Sequence, residues 1–430
     1  MGRTTRGGSR SHTPNVRPVQ RVELSERNPK QRFIAVIVCL LVASAAFIYA
    51  LNGLMSNDSG WTNIEVSSSA ETNCGEDFIF QYYIGAGSVD ATAERKALTL
   101  LYTDIMVKAY ELFHNDEAFE GVTNIYEINQ HPNEVLEVDP VLYQAFEAIE
   151  QSGRREIYLA PIYVEYKNLF FCEDDSQTIN YDVEQNAELS DYFAQLLPYC
   201  NDPSMVNVEL LGENRIRLAV SEQYLSFAKE NQIEDFVDFG WMKNAFICDY
   251  AAEELAENHY TFGNLTSCDG FTRNLDVKTG ERQEMEYAFN IYDRQGNTIY
   301  PAGVMNYTGA ISIVSLHNYP MSEKEKYNYY EFKNGDIRTY YIDATDGRCR
   351  SSVNNLVSYS GEKGCAGVLL DVLPLYISEE MDAKALKDLS KWGTDSIYGD
   401  NGVLFYTEEA LSLTDLYEKD GMSYEAKLIK

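Results

Sequence analysis

The stretch FVDFGWMKNAFICDYAAEEL, Phe236 to Leu255, presents an Asp at 238, a Gly at 240 and then a long Ala- and Glu-rich helical pattern. That order suits the start of a helix that holds an anionic cofactor, because the free N–H groups of a first turn and the helix dipole attract phosphate. Where a cation would serve such a ligand best, the chain carries Asn244. Other catalytic signatures are missing. The five histidines form no H-E-x-x-H spacing, and there is no G-x-S-x-G elbow and no Walker loop. YIGAGS has two glycines without the third of a dinucleotide fingerprint and is read as a turn. Cys74, Cys172, Cys200, Cys248, Cys268, Cys349 and Cys365 sit in no C-x-x-C pair and near no His cluster, which argues against a thiolate metal site.

Composition narrows the partners. A 430-residue chain with 45% hydrophobic residues can bury a large core, and a net charge of −32 opposes broad contact with nucleic acid or anionic lipid. Residues 1–32 differ from the rest, with Arg3, Arg6, Arg10, Arg17, Arg21, Arg27, Lys30 and Arg32 against only Glu23 and Glu26. The uncharged run Phe33 to Leu51 follows, long enough as a helix to come close to spanning a hydrocarbon layer of about 30 Å. The positive-inside bias then places the N-terminus in the cytoplasm and the remainder outside. Ala43 and Ala45 give the spacing of a signal-peptidase site, but they lie within the apolar run, whose length fits an anchor better. The expected organisation is a basic cytoplasmic tail (1–32), a transmembrane helix (33–52), a polar linker (53–73) and one extracytoplasmic domain (74–430), with the cell membrane as its location. Disulfides are permitted there, with Cys349 and Cys365 or Cys248 and Cys268 as candidate pairs, although seven outer cysteines leave the connectivity open. Asn57, Asn264 and Asn306 head Asn-x-Ser/Thr sites. The 32 tyrosines suit strand packing better than a carbohydrate platform.

The elements that would position a site are of both kinds. Leu98, Leu101, Ile105, Ala109 and Leu112 recur at helical spacing. Asp139 as N-cap, Pro140 at the first helical position and Gly153 beyond the end punctuate a second helix. Val206 to Val220 reads as a hairpin turned at GEN, EYAFNIYDRQGNTIY as another, and EFKNGDIRTYYI as a third through Asn334-Gly335. SEEMDAKALKDLSKW reads as a last helix with Glu379, Glu380 and Asp382 in its first turn. Helices and antiparallel hairpins without regular alternation point to an α+β fold.

Six segments, in order, resemble the ApbE-like family, the FAD:protein FMN transferases. LFHNDEAFEGVTNIYEINQHPNEVLEVDPVLYQAFEAI looks like that family's N-terminal helix, turn and following helix, and FVDFGWMKNAFICDYAAEEL like its D-x-G-x-x-A-K-G-x-A helix start. LTSCDGFTRNL resembles its Gly-Gly-Asn strand, IVSLHNYP its T-S-G-D-Y turn, YYIDATDG its H-I-I-D-P-x-T-G turn and CAGVLLDVL its metal helix. The resemblance runs from about Phe78 to Tyr417. It implies FAD and Mg²⁺ as cofactors and transfer of FMN to a Thr or Ser of an extracytoplasmic flavoprotein. Carried over residue by residue, it places the cofactor against Asp238, Gly240, Asn244, Gly270, Asn318 and Tyr319, catalysis at Asp343 and His317, and the metal at Asp371. Many of these positions depart from the pattern. The family's Lys falls on Asn244, with Lys243 one residue early and about 100° away around a helix. Its turn Asp falls on Asn318, which cannot act as a base, and its metal-ligating Asp falls on Gly367. In the I-D-P-x-T-G turn the family's Pro falls on Ala344 and its Thr on Asp346, while the Thr of the metal helix falls on Asp371, one turn from the carboxylate's usual place. The expectation is a transferase-like protein with impaired or lost catalysis, or a non-catalytic scaffold that holds a flavin or a partner.

Overall fold

Asp139 shows how directly local sequence sets local structure: its carboxylate accepts from the Val141 amide at 3.0 Å and starts the helix Pro140–Ser152, which Gly153 ends in the left-handed conformation. The computed structural model describes residues 59–86, 90–277, 285–322, 325, 327–419 and 421–430. The basic tail and the apolar run Phe33 to Leu51 lie outside the described residues. No described helix is long and apolar enough to cross a membrane.

Residues from Asp58 onward form one unit. Its centre is a nine-stranded sheet in the order Gly60–Ile64, Phe78–Ile84, Gly263–Ser267, Phe271–Asn274, Ile311–His317, Asn355–Ser360, Asp395–Asp400, Val403–Tyr406 and Glu425–Leu428. All neighbours are antiparallel except the last pair. The helices Ala91–Phe113, Lys243–Glu257 and Cys365–Tyr376 pack on one face, where Phe80, Leu98, Leu255, Phe271 and Leu369 belong to the main core. A smaller sheet, Ser412–Thr414, Thr298–Thr308 and Glu286–Gln295, covers part of the other face around Ile291, Met305, Ile313, Ile397 and Leu404. The α+β architecture therefore matches the sequence reading, as do the Ala91–Phe113 helix and the hairpins Val206–Gly212 with Arg215–Val220, Glu286–Gln295 with Thr298–Thr308, and Tyr329–Glu331 with Ile337–Thr339.

Three expectations need correction. The segment expected as a linker contains the edge strand Gly60–Ile64, because Ile64 is buried and Trp61 packs edge-on against Phe262 and Tyr83. The last helix is shorter, Ala383–Ser390, and Glu379 and Glu380 precede it. Asp382 is its N-cap, accepting from the Ala385 amide at 2.9 Å, and that local bond fixes where the helix begins. None of Cys74, Cys172, Cys200, Cys248, Cys349 and Cys365 is in a disulfide. Cys349 donates to the Thr339 carbonyl at 3.0 Å and Cys365 to the Thr272 carbonyl at 3.3 Å, so each thiol is engaged by a different strand.

Candidate functional site

The Asp238 turn is built from its neighbours inward. Asn129 accepts from the Phe236 and Val237 amides at 2.9 and 3.0 Å and donates to the Val237 carbonyl at 2.8 Å, clamping the approach. Asp238 then accepts from the Gly240 amide at 2.9 Å and from the Asn115 side chain at 3.0 Å. Both carboxylate oxygens thus face the protein's own donors. Burial pushes the Asp238 carboxyl above its ordinary range, and the Gly240 hydrogen bond opposes that rise. The predicted turn and helix are present, with Gly240–Met242 as a 3₁₀ turn leading into Lys243–Glu257.

Asn244 is 4% exposed and donates to Asp269 at 2.9 Å. Its Oδ1 has no partner, and neither does Oδ1 of Asp269. Burial raises the Asp269 carboxyl to about 6, with hydrogen bonds from Ser267 and Asn244 opposing the rise. Since both orphaned atoms are acceptors, a proton on Asp269 supplies the donor that the pair lacks. Gly270 follows at φ +103°, and a Cβ there would run into the Ser315 carbonyl of the adjacent strand. Its glycine is required by strand approach. Among the described residues, Asp269 borders a cavity of about 20 Å³ that Trp241, Asn328, Tyr329, Thr339, Tyr340 and Tyr341 also line. That is room for about one water, where small-molecule sites run to about 300–1,000 Å³. Aromatic rings do the filling: Trp241 meets Tyr341 at 4.9 Å and Tyr341 meets Tyr376 at 4.9 Å, both edge-on.

His317 is buried with both ring nitrogens engaged. Nδ1 lies 3.1 Å from the Ser315 carbonyl, and Nε2 lies 2.9 Å from Glu325. A carbonyl only accepts, so Nδ1 carries a hydrogen, and a further proton must lie between Nε2 and the Glu325 carboxylate. Neither nitrogen is free to take a proton from a substrate. Asn318 donates to Ser351 at 2.7 Å and to Asn354 at 3.2 Å, while its Oδ1 has no partner. Tyr319 is 1% exposed, its hydroxyl accepts from Asn355 at 3.3 Å, and burial raises its pKa. The structure brings His317 and Tyr319 together, with ring centroids 5.6 Å apart.

Asp343 and Asp371 are each paired with a base. Asp343 accepts from the Thr345 amide at 2.8 Å and hydroxyl at 2.6 Å, and its other oxygen meets Arg350 at 2.6 Å. Arg350 also holds Asp346 at 2.7 Å, so these charges close a turn. Asp371 lies 2.5 Å from Lys363 Nζ and 2.6 Å from the Thr394 hydroxyl, and Lys363 also donates to Thr394 at 3.0 Å. The Lys363 stem runs over Gly367, where a Cβ would sit 3.4 Å from Lys363 Cβ. An ammonium therefore stands beside the one carboxylate of the Cys365–Tyr376 helix. These residues do not fit Mg²⁺, which needs several oxygen ligands in near-octahedral array at about 2.0–2.1 Å. Among the described residues, no group of three or more His, Cys, Asp and Glu converges for a metal ion.

Sequence reasoning missed Asp249. Its oxygens accept from the Cys365 and Ala366 amides at 2.7 and 2.8 Å, so a carboxylate from the Lys243–Glu257 helix caps the Cys365–Tyr376 helix. Burial raises Asp249 to about 6, with Arg273 opposing at 3.7 Å. A Cβ at Gly364 would collide with this carboxylate. The free N–H groups that could receive a phosphate at this helix start already hold an internal anion. Lys363, Arg350 and Glu325 were missed too; in the sequence they are ordinary charged residues, and only their spatial partners mark them.

No family model matches the sequence, and no curated protein does either. Solved structures do match in shape. The chain is similar to an ApbE protein from Thermotoga maritima, with a TM-score of 0.53 and 11% identity over 83% of this chain and 97% of that one. It is similar as well to the flavin transferase ApbE from Vibrio cholerae, with a TM-score of 0.50 and 13% identity over 79% of this chain and 94% of that one. The polypeptide from Asp58 onward has an ApbE-like fold.

Proposed function

We propose that this chain is a membrane-anchored, extracytoplasmic protein that keeps the ApbE-like fold as a non-catalytic binding or scaffold domain, without FMN transfer. The observation that carries this reading is the Lys363 ammonium 2.5 Å from Asp371, with the Lys363 stem over Gly367. Phosphoryl chemistry on a dinucleotide rests on neutralising charge at the phosphate oxygens and positioning the attacking hydroxyl. Here the base nearest the metal helix is tied to a carboxylate, the nearest helix start is capped by Asp249, and the space beside Asp269 is filled by aromatic rings. Loss of one preorganised charge-stabilising donor costs roughly 10²–10³ in rate, and loss of a Lewis-acid cation several kcal/mol more. Support for the anchor comes from the uncharged run Phe33 to Leu51 behind a basic flank.

The test is to place the full-length protein in lipid nanodiscs, titrate it with FAD with and without Mg²⁺, and incubate it with an extracytoplasmic flavoprotein acceptor. No Mg²⁺-dependent heat and no covalent FMN on the acceptor are expected. Transfer that disappears in Asp371→Ala would overturn the proposal.

A further inference from the structure

The small sheet covers only part of the large sheet's second face. Over the strands Gly60–Ile64, Phe78–Ile84 and Gly263–Ser267 that face is open and mixed, with amide and hydroxyl side chains beside the exposed Ile79 and Trp61, and with Met285, Ala288 and Phe289 at its border. Strand register places Asn63 opposite Gln81 and Gln81 opposite Asn264, so three amides stand in a row across three strands about 4.8 Å apart. On the next rung Thr266 lies opposite Thr272. Bonds within this array are few: Gln81 donates to Asn63 at 3.2 Å, Thr266 to Asn264 at 2.8 Å and Thr272 to Thr266 at 3.2 Å. Each amide has two donor hydrogens and an oxygen with two lone pairs, so most of its capacity still faces outward.

Aromatic rings form the wall of this shelf. Tyr287 and Tyr307 stack at 5.5 Å, and Trp61 stands edge-on to Tyr287 at 6.3 Å. Trp61 is 39% exposed, yet it is fixed by edge contacts to Tyr83 and Phe262 as well. Floor and wall enclose an open cleft of about 480 Å³, within the range of small-molecule sites. Glu286 is the one charged residue among those described that line it.

Charge and hydrogen bonding decide the ligand class. Among the described residues that line the cleft no cation meets an anion, and the protein carries a net charge of −32, while a purely apolar molecule would strip water from amides without replacing their bonds. A sugar ring satisfies both parts: its C–H face packs on an aromatic surface, and each hydroxyl both donates and accepts. We propose that this cleft binds a neutral saccharide, with its C–H face on Trp61, its rim against Tyr287, and adjacent hydroxyls on Gln81 and Asn264. The site is independent of any flavin chemistry, so its failure and that of the preceding proposal are separable.

The full-length protein, made without N-glycosylation because Asn264 heads an Asn-x-Thr site, is reconstituted in lipid nanodiscs. It is titrated with neutral oligosaccharides of glucose, galactose, mannose and N-acetylglucosamine, and with a sulfated oligosaccharide as control, by calorimetry and tryptophan fluorescence. At least one neutral oligosaccharide is expected to bind saturably, at least tenfold more tightly than the sulfated one. Trp61→Ala and Gln81→Ala are each expected to weaken binding at least tenfold, and the exposed position of Gln81 leaves the melting temperature of its variant unchanged. No saturable binding of any neutral probe, binding that survives both substitutions, or equal affinity for the sulfated probe would overturn the proposal.

Discussion

Two polar regions of this protein differ in where their hydrogen bonds point. At the positions that resemble a flavin transferase site, Asp238, Asp343 and Asp371 all bond to donors of the chain itself, as does the neighbouring Asp249 at a helix start. On the open face of the large sheet, Gln81 and Asn264 keep most of their bonding capacity toward solvent. Acidic groups turned inward hold turns and helix ends in place; neutral groups turned outward are left to exchange water for a ligand. On the two proposals above, the fold keeps the first region as structure and offers the second for binding.

This contrast predicts that inward groups govern stability and outward ones do not. The largest effect is expected at the aromatic filling: Tyr341→Ala removes a buried ring between Trp241 and Tyr376 and should cost about 3–5 kcal/mol in denaturant unfolding. If the same variant gained FAD affinity, the filling would be a removable plug. Asp249→Ala uncaps the Cys365–Tyr376 helix and leaves Arg273 without its nearby carboxylate, an expected loss of about 2–4 kcal/mol. A loss below about 1 kcal/mol would show that this helix end does not need an internal anion.

A pH series tests the Asp269 pair. The folded carboxyl is raised from 3.8 to about 6, so the folded state holds the proton more tightly than the unfolded chain does. Its stabilising contribution is complete below about pH 4 and is lost as pH rises through about 6. Asp269→Asn supplies a permanent donor opposite Asn244; it should lessen the fall of melting temperature between pH 4 and 6, leaving the share due to Asp249 and Asp235, which are also raised to about 6, and add about 1–2 kcal/mol at pH 7. Unchanged pH dependence would remove this carboxyl from the account.

Smaller effects sharpen the comparison. Lys363→Ala should cost about 1 kcal/mol, since the pair is partly exposed, and it frees Asp371 from its ammonium. Melting in Mg²⁺ is expected to match melting without it in the native protein; a Mg²⁺-dependent rise in the variant alone would identify Lys363 as the group that excludes the ion. Gln81 is exposed, and Gln81→Ala should change stability by less than about 0.5 kcal/mol. A larger loss would mean that the amide row serves the sheet rather than the cleft.

Much of the local structure was legible in the chain. Asp139, Pro140 and Gly153 bounded a helix as read, because caps act within three residues. The Asp238-Gly240 turn also formed as its sequence suggested. The last helix began later than its acidic residues implied, since a dipole preference is weaker than the N-cap bond that Asp382 makes. The strand at Gly60–Ile64 was hidden because its polar, outward residues resemble a linker until Trp61 and Ile64 find partners more than fifteen residues away.

By itself the sequence determined the mixture of helices and hairpins, the caps and turns, the acidic balance and the changed residue types at the family's positions, all of which depend on neighbours along the chain. Tertiary structure decided which charges meet. Asp249 and Cys365 are 116 residues apart, and nothing in either segment names the other. The physical reason is that ion pairs and buried hydrogen bonds act over a few ångströms of space, and only packing of the core brings such distant groups within that range.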